Sequence, residues 1–105
     1  MSVIMTLRAP GDGKAVEEYA QANPDTMQSV IALAKEHGVI AHRFYGSDDG
    51  QLMVVDEWPD PASFQAFFAA AESLIGPMMA AAGVGEPVVT FWTKLDTGDD
   101  FGWDA

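Results

Sequence analysis

Hydrophobic and polar positions first alternate like a strand and then recur at helical spacing. The run Val3–Arg8 is β-prone and stops at the proline and glycines of residues 9–13. A helical stretch over residues 14–22 is interrupted at Asn23-Pro24, where Asn23 can cap and Pro24 can begin a second helix. The apolar side chains of that second helix form one stripe, made by Met27, Val30, Ile31 and Ala34. The stripe predicts a helix that packs against a sheet or another helix.

The middle of the chain predicts a β-hairpin. Gly38 can end the second helix in a left-handed conformation, and two apolar-rich runs follow, over residues 39–45 and 52–58. The segment that joins them contains Asp49-Gly50, a pair typical of tight hairpin turns. The two runs are therefore expected to pair as antiparallel strands.

The length of this turn decides which side chains share a face of the sheet. In a two-residue turn at Asp49-Gly50, Arg43 pairs with Asp56 and His42 pairs with Glu57. One face then carries the set Arg43, Tyr45, Asp56 and Trp58. A longer loop would shift the pairing by an odd number of residues and bring His42 beside Val54. The charge complementarity of the two pairs favours the two-residue turn.

The last third of the chain predicts an aromatic helix and a final strand. Asp60-Pro61 is typical of a helix start, and the aromatic side chains that follow share one face: Phe64, Phe67 and Phe68, with Ala71. Gly76-Pro77 predicts the end of that helix, and residues 78–82 a further turn that Gly83 ends. Residues 87–95 alternate like a strand.

The resulting order, β-α-β-β-α-β, predicts an α+β fold of the ferredoxin-like type, with both helical segments on one face of a four-stranded antiparallel sheet. Residues 1–95 form the predicted domain and residues 96–105 a tail. A chain of 105 residues has no element left to cover the other face of the sheet. We therefore expect a homodimer that packs sheet against sheet, a dimeric α/β barrel.

Charge and composition remove several classes of function. Sixteen acidic residues against five basic ones give a net charge of −11, which disfavours nucleic acid and membrane surfaces as partners. The chain has no cysteine, so it has no disulfide and no thiolate metal site. We find no basic leader and no apolar stretch long enough to span a membrane, and we expect a cytoplasmic protein.

The run Met53–Phe67, which reads MVVDEWPDPASFQAF, resembles the junction between the third strand and second helix of the dimeric α/β-barrel, antibiotic-biosynthesis-monooxygenase-like superfamily. The resemblance spans residues 3–95 and implies the fold given above. Members include cofactor-independent oxygenases of polyketide quinones, haem-degrading enzymes, isomerases and proteins of no known activity. It also implies a pocket between sheet and helices, lined by a tryptophan at the position of Trp58.

An oxygenase without a metal needs a base to deprotonate a phenol or hydroquinone, and donors to hold the anion. The candidate catalytic residues are Tyr45, His42 and Arg43, with Asp56 orienting Arg43 and Glu57 as a partner for His42. The ligand-binding candidates are Trp58, Asp56, Phe64, Phe67, Phe68 and Met78. No cofactor or metal is expected. The competing interpretations are a cross-strand ion pair with a half-buried tyrosine, a non-catalytic dimer that binds a small apolar ligand, and an interaction module.

Two departures from the superfamily bear on function. Haem-degrading relatives carry an asparagine on the first strand and an axial histidine late in the second helix, and this chain has neither, although Met78 or Met79 could in principle ligate iron. Haem degradation is therefore not expected. The same asparagine is known in the quinone-forming oxygenases, so its absence also counts against that activity.

The tail carries four acids, no base and two aromatic residues, Phe101 and Trp103. We expect these rings to pack on the chain itself or on a partner subunit; the alternative is a frayed terminus.

Overall fold

The fold is a four-stranded antiparallel sheet with helices on one side. The computed structural model describes residues 1–103 and has eight elements in chain order: β1 (Val3–Pro10), α1 (Gly13–Ala22), α2 (Pro24–Glu36), β2 (Ala41–Gly46), β3 (Gln51–Trp58), α3 (Pro61–Ala70), α4 (Glu72–Ala81) and β4 (Val88–Trp92). The strands lie in the order β2-β3-β1-β4, and every neighbouring pair is antiparallel. This confirms the predicted ferredoxin-like class, with β4 shorter than residues 87–95.

Capping hydrogen bonds and one glycine explain several of the helix ends. The Asp60 carboxylate accepts a hydrogen bond of 2.8 Å from the Ser63 backbone N–H at the start of α3. That hydrogen bond, and a further one with the Ser63 side chain, hold the pKa of Asp60 below its usual value. Gly38, with a φ of +94°, ends α2 as predicted. Asn23 does not cap α2 with its side chain, because its amide instead donates to the Tyr19 carbonyl of α1 at 2.9 Å.

The break in the second helical segment lies elsewhere than predicted. The segment divides at Ala71, between α3 and α4, and α4 continues through Gly76-Pro77. A proline inside a helix removes one backbone donor, here the one that would reach the carbonyl of Ser73. Ser73 is exposed, so water can solvate that carbonyl and the helix is not obliged to end there.

The hairpin of β2 and β3 differs from the prediction by one residue of register. Arg43 lies opposite Val55, whereas His42 lies opposite Asp56, so the predicted pairs Arg43–Asp56 and His42–Glu57 are wrong. The cause is the turn: the Ser47 N–H donates to the Gln51 carbonyl at 2.9 Å, which leaves a loop of three residues, 48–50. Gly50, with a φ of +84°, ends this loop in the left-handed conformation typical of three-residue hairpin loops.

This register decides which face of the sheet is buried. On β3 the residues that face the helices are buried and alternate with partly exposed ones; they are Leu52, Val54, Asp56 and Trp58. They join Met5 and Leu7 of β1 and Phe64 and Phe67 of α3 in the core. The helix-facing side of the sheet is therefore the inside of this domain.

The opposite side, which we call the outer face, is partly apolar and uncovered. It carries Ile4, Val55, Tyr45, Val88 and Trp92, of which all but Val55 are exposed.

The tail rings do not pack on the rest of the chain, since Phe101 is 93% and Trp103 86% exposed. The tail residues beyond 103 lie outside the described part of the chain. Among residues 1–103, no helix combines the length and apolarity needed to cross a membrane.

Candidate functional site

A cavity of about 80 Å³ lies between the helices and the inner face of the sheet. Residues of all four helices and of β1, β2 and β3 line it, and nearly all of them are apolar. Of the described residues that line it, only Tyr19, His42 and Asp56 carry a side-chain nitrogen or oxygen. Any polar chemistry in this cavity therefore belongs to these three side chains.

Two of these polar groups belong to a hydrogen-bonded chain of three side chains. The Asp56 Oδ1 lies 2.7 Å from His42 Nδ1, and the Trp58 Nε1–H donates to Asp56 Oδ2 at 3.0 Å. Trp58 is 0% and Asp56 4% exposed, and the His42 side chain is 29% exposed. We call this set the His42–Asp56–Trp58 relay. It runs from the core to the cavity wall.

The register of the sheet assembles the relay. His42 and Asp56 are direct cross-strand partners on β2 and β3, and Trp58 follows Asp56 by two residues, so all three side chains point to the inner face. A carboxylate is buried in a protein only where donors replace its water. Here each carboxylate oxygen has one such donor.

The relay defines the proton position on His42. An ionised carboxylate only accepts hydrogen bonds, so Nδ1 is the donor and carries the proton. In the neutral imidazole Nε2 then holds a free lone pair. Within residues 1–103, the hydrogen bonds of His42 involve Nδ1 alone. His42 thus lines an almost entirely apolar cavity with a ring whose Nε2, in the neutral form, has no hydrogen-bond partner among residues 1–103.

Aromatic rings support the relay from the helix side. The Trp58 ring packs on Phe64 and Phe67 with centroid distances of 5.7 and 5.4 Å, and Phe64 stacks on Phe68 at 5.3 Å. Trp58 lies behind the cavity wall and is not among its lining residues, in contrast to the direct ligand contact that we expected of it. Its described polar contact is with Asp56.

The structure brings together six of the nine predicted site residues as cavity lining: His42, Asp56, Phe64, Phe67, Phe68 and Met78. Arg43 and Tyr45 lie on the outer face, away from the cavity, because the register moves them there; Tyr45 is 45% exposed. Tyr19 also lines the cavity and was not predicted; its signal in the sequence is its helical spacing from Val16 in α1. In residues 1–103, no three side chains of His, Cys, Asp or Glu come together as metal ligands would.

Comparison with known proteins identifies the fold. No protein-family model matches the chain, and no curated protein matches it significantly. Solved structures do. SnoaB, a cofactor-independent oxygenase from Streptomyces nogalater, is 15% identical with a TM-score of 0.61, over 94% of this chain and 98% of that one. A dimeric ferredoxin-like protein from an uncultured marine organism is also 15% identical, with a TM-score of 0.63, over 91% and 97%.

A further antibiotic biosynthesis monooxygenase is 12% identical with a TM-score of 0.63, over 90% of this chain and 99% of that one. The chain therefore has the ferredoxin-like fold of the antibiotic-biosynthesis-monooxygenase-like proteins, which confirms the predicted resemblance at the level of fold. In this chain, the histidine–carboxylate pair His42–Asp56 lies on the wall of the cavity between helices and sheet.

Proposed function

We propose that this chain is a small oxygenase that needs no cofactor and acts on a hydroxylated aromatic or quinone-like molecule in the helix–sheet cavity. The observation that carries the proposal is the His42–Asp56–Trp58 relay, in which a buried carboxylate holds the imidazole of His42 among the residues of an otherwise apolar wall. The likeness in fold to a cofactor-independent oxygenase supports it.

The relay suits the first step of such a reaction. His42 Nε2 takes the proton of the substrate hydroxyl, and Asp56 stabilises the imidazolium that results. The apolar walls leave few groups to solvate the substrate anion, which keeps it electron-rich towards oxygen. For a substrate with a reactive CH₂ carbon, one atom of O₂ becomes the new carbonyl oxygen, and the other leaves with the two hydrogens as water.

Arg43 and Tyr45 have no catalytic role in this proposal, since both lie on the outer face.

The outer face supports a second element of the proposal, a homodimer. It holds Arg8 and Arg43, two of the five basic residues, whereas the whole chain carries a net charge of −11. A second copy can therefore approach this face with less repulsion than elsewhere, and it would cover the exposed apolar side chains. One protein of the same fold is a dimer.

Oxygen uptake with a panel of hydroquinones and anthrone-like phenols tests the activity. We expect His42→Gln to lower kcat by about 10²- to 10⁴-fold, because the proton acceptor is lost. His37→Gln is the matched control, since His37 ends α2 and does not line the cavity. Activity that survives in His42→Gln would rule out the proposed base. Saturable binding of these compounds with no oxygen uptake would favour the non-catalytic binding dimer instead.

A further inference from the structure

The cavity is small for a ligand site. Its volume is about 80 Å³. An apolar cavity of roughly 150 Å³ holds benzene, and sites for drug-sized molecules have roughly 300–1,000 Å³. The walls must therefore move outward to admit even one aromatic ring. Three fused rings would need a far larger displacement.

Methionines supply the adaptable part of the wall. The chain has six methionines, and four of them line this cavity: Met5, Met27, Met78 and Met79. A methionine side chain is unbranched and has several rotatable bonds, so it changes shape at low cost and makes favourable contacts with aromatic rings. A cavity wall rich in methionine is suited to an aromatic ligand for which it must make room.

The wall is not equally free to move everywhere. Met5 is buried at the centre of the sheet, and Phe64 and Phe67 are fixed against Trp58. Met78 and Met79 are only partly buried and lie on α4, at the edge of the core cluster. The space that a ring needs can therefore come from these two side chains, and their reach limits the size of the ligand.

The polar groups restrict the charge of the ligand. A carboxylate or phosphate would lie near Asp56 in an apolar cavity of a chain with a net charge of −11, which is unfavourable. A phenol is neutral near pH 7 because the pKa of its hydroxyl is about 10. Its hydroxyl can donate to Nε2 of a neutral His42 ring.

We infer that this cavity takes a neutral aromatic molecule of one ring, whose hydroxyl donates to His42 Nε2, and that Met78 and Met79 set the upper limit on its size. The inference rests on the site named in the proposed function, but not on its oxygen chemistry. It is therefore testable by binding alone.

Calorimetric titration without oxygen, near pH 7, tests it with four probes: p-cresol, p-xylene, p-toluate and 2-naphthol. We expect p-cresol to bind at least about tenfold more tightly than p-xylene, which has the same shape without the hydroxyl. The anion p-toluate should show no saturable binding. 2-Naphthol should bind at least about tenfold more weakly than p-cresol, although its larger apolar area would favour it in a roomy site.

Variants assign these effects to residues. His42→Phe keeps a ring but removes the acceptor, so p-cresol should bind no better than p-xylene. Met78→Ala combined with Met79→Ala should bring 2-naphthol to at least the affinity of p-cresol. Leu74→Ala is the matched control, since Leu74 lies on the same helix but does not line the cavity. Should the double variant fail to fold, as judged by circular dichroism, the probe series on the unchanged protein still decides.

The outcomes separate this inference from the proposed function. Equal or tighter binding of 2-naphthol to the unchanged protein would overturn the size limit, and equal binding of p-cresol and p-xylene would overturn the role of His42. Preferred binding of p-cresol without any oxygen uptake from the hydroquinones or the anthrone-like phenols would uphold the inference and overturn the oxygenase. Oxygen uptake with three-ring substrates, but not with one-ring substrates, would uphold the oxygenase and overturn the inference of a one-ring ligand.

Discussion

Asp56 is the residue on which the site depends. Its carboxylate is 4% exposed and has a donor on each oxygen, one from His42 and one from Trp58. If either donor is removed, a buried acceptor is left without a partner, which costs about 1–3 kcal/mol. The same two hydrogen bonds fix the orientation of the carboxylate, and through it the position of the His42 ring.

Trp58→Phe tests the role of the indole N–H. The substitution keeps an aromatic ring in the core but removes the donor to Asp56 Oδ2. We expect a loss of about 1–3 kcal/mol in the free energy of unfolding and a change in the ¹⁵N chemical shifts of the His42 ring, because the carboxylate that orients this ring loses one of its two donors. Urea unfolding measures the first effect, and ¹⁵N NMR of the imidazole measures the second.

Trp92→Phe is the control for this prediction. Trp92 also donates through Nε1, to Thr6 Oγ1 at 2.8 Å, but it is exposed on the outer face. The Trp92→Phe substitution should leave the ¹⁵N chemical shifts of the His42 ring unchanged. If Trp58→Phe left them unchanged as well, Trp58 would be a packing residue and not a positioning residue.

Sequence predicted which residues line the cavity better than it predicted how they pair. His42 and Asp56 were predicted as site residues from their residue types and strand positions, and the aromatic face of α3 from the pocket that the family resemblance implies; all of them line one cavity. Their partners were predicted wrongly, because a carboxylate opposite an arginine and one opposite a histidine look equally reasonable in sequence. Only the register of the two strands separates these cases.

At the level of elements, the β2–β3 hairpin shows why the register was missed. Asp49-Gly50 is compatible with a two-residue turn and with a three-residue loop that ends in glycine. Charge pairing favoured the two-residue turn, but a cross-strand pair of side chains contributes only about 0.2–1 kcal/mol to stability. The observed register turns Phe44 towards the core, where it is partly buried; full burial of a phenylalanine contributes about 1.5–3 kcal/mol, and partial burial a substantial share of this. Burial therefore outweighs the charge pairs.

Gly50→Ala tests the turn. Gly50 has a φ of +84° and no atom near its missing Cβ, so the cost of alanine arises from the backbone conformation alone. We expect a loss of about 1 kcal/mol in the free energy of unfolding. Gly50→Asn should lose less, because asparagine tolerates the left-handed conformation. Equal stability of the alanine variant and the unchanged protein in urea unfolding would argue against the three-residue loop.

At the level of the whole molecule, element order and fold class followed from the sequence, because hydrophobic spacing survives small errors at element ends. The outer face could be anticipated in the same way, as the side that the helices leave uncovered. The distribution of charge on the outer face could be determined only from the structure, because it depends on the register of the strands. Arg8 and Arg43 lie on this face together with Glu57, so its own charge is close to neutral in a strongly acidic chain.

Val55→Asp tests the proposed homodimer. Val55 lies in the middle of the outer face, between Thr6 and Arg43. We expect the unchanged protein to have the mass of two subunits by native mass spectrometry and light scattering, and Val55→Asp to be monomeric. Gln65→Asp adds the same charge on an exposed position of α3 and should remain dimeric.

Salt provides a second measurement of the same association. Two chains of net charge −11 repel each other, so raising the ionic strength from about 0.05 to about 0.5 M should strengthen the dimer. A monomer at both ionic strengths, or a dimer that Val55→Asp leaves intact, would contradict the proposed interface.

The position of β2 at the edge of the sheet has an evolutionary consequence. Among residues 1–103 this strand pairs with β3 alone, so a change of one residue in its register disturbs a single ladder. Such a change would turn His42 and Phe44 away from the cavity and bring Arg43 and Tyr45 to its wall. A one-residue insertion or deletion beside the loop could thus exchange a base for a guanidinium and a phenol in one step. New chemistry would then be accessible without altering the rest of the fold.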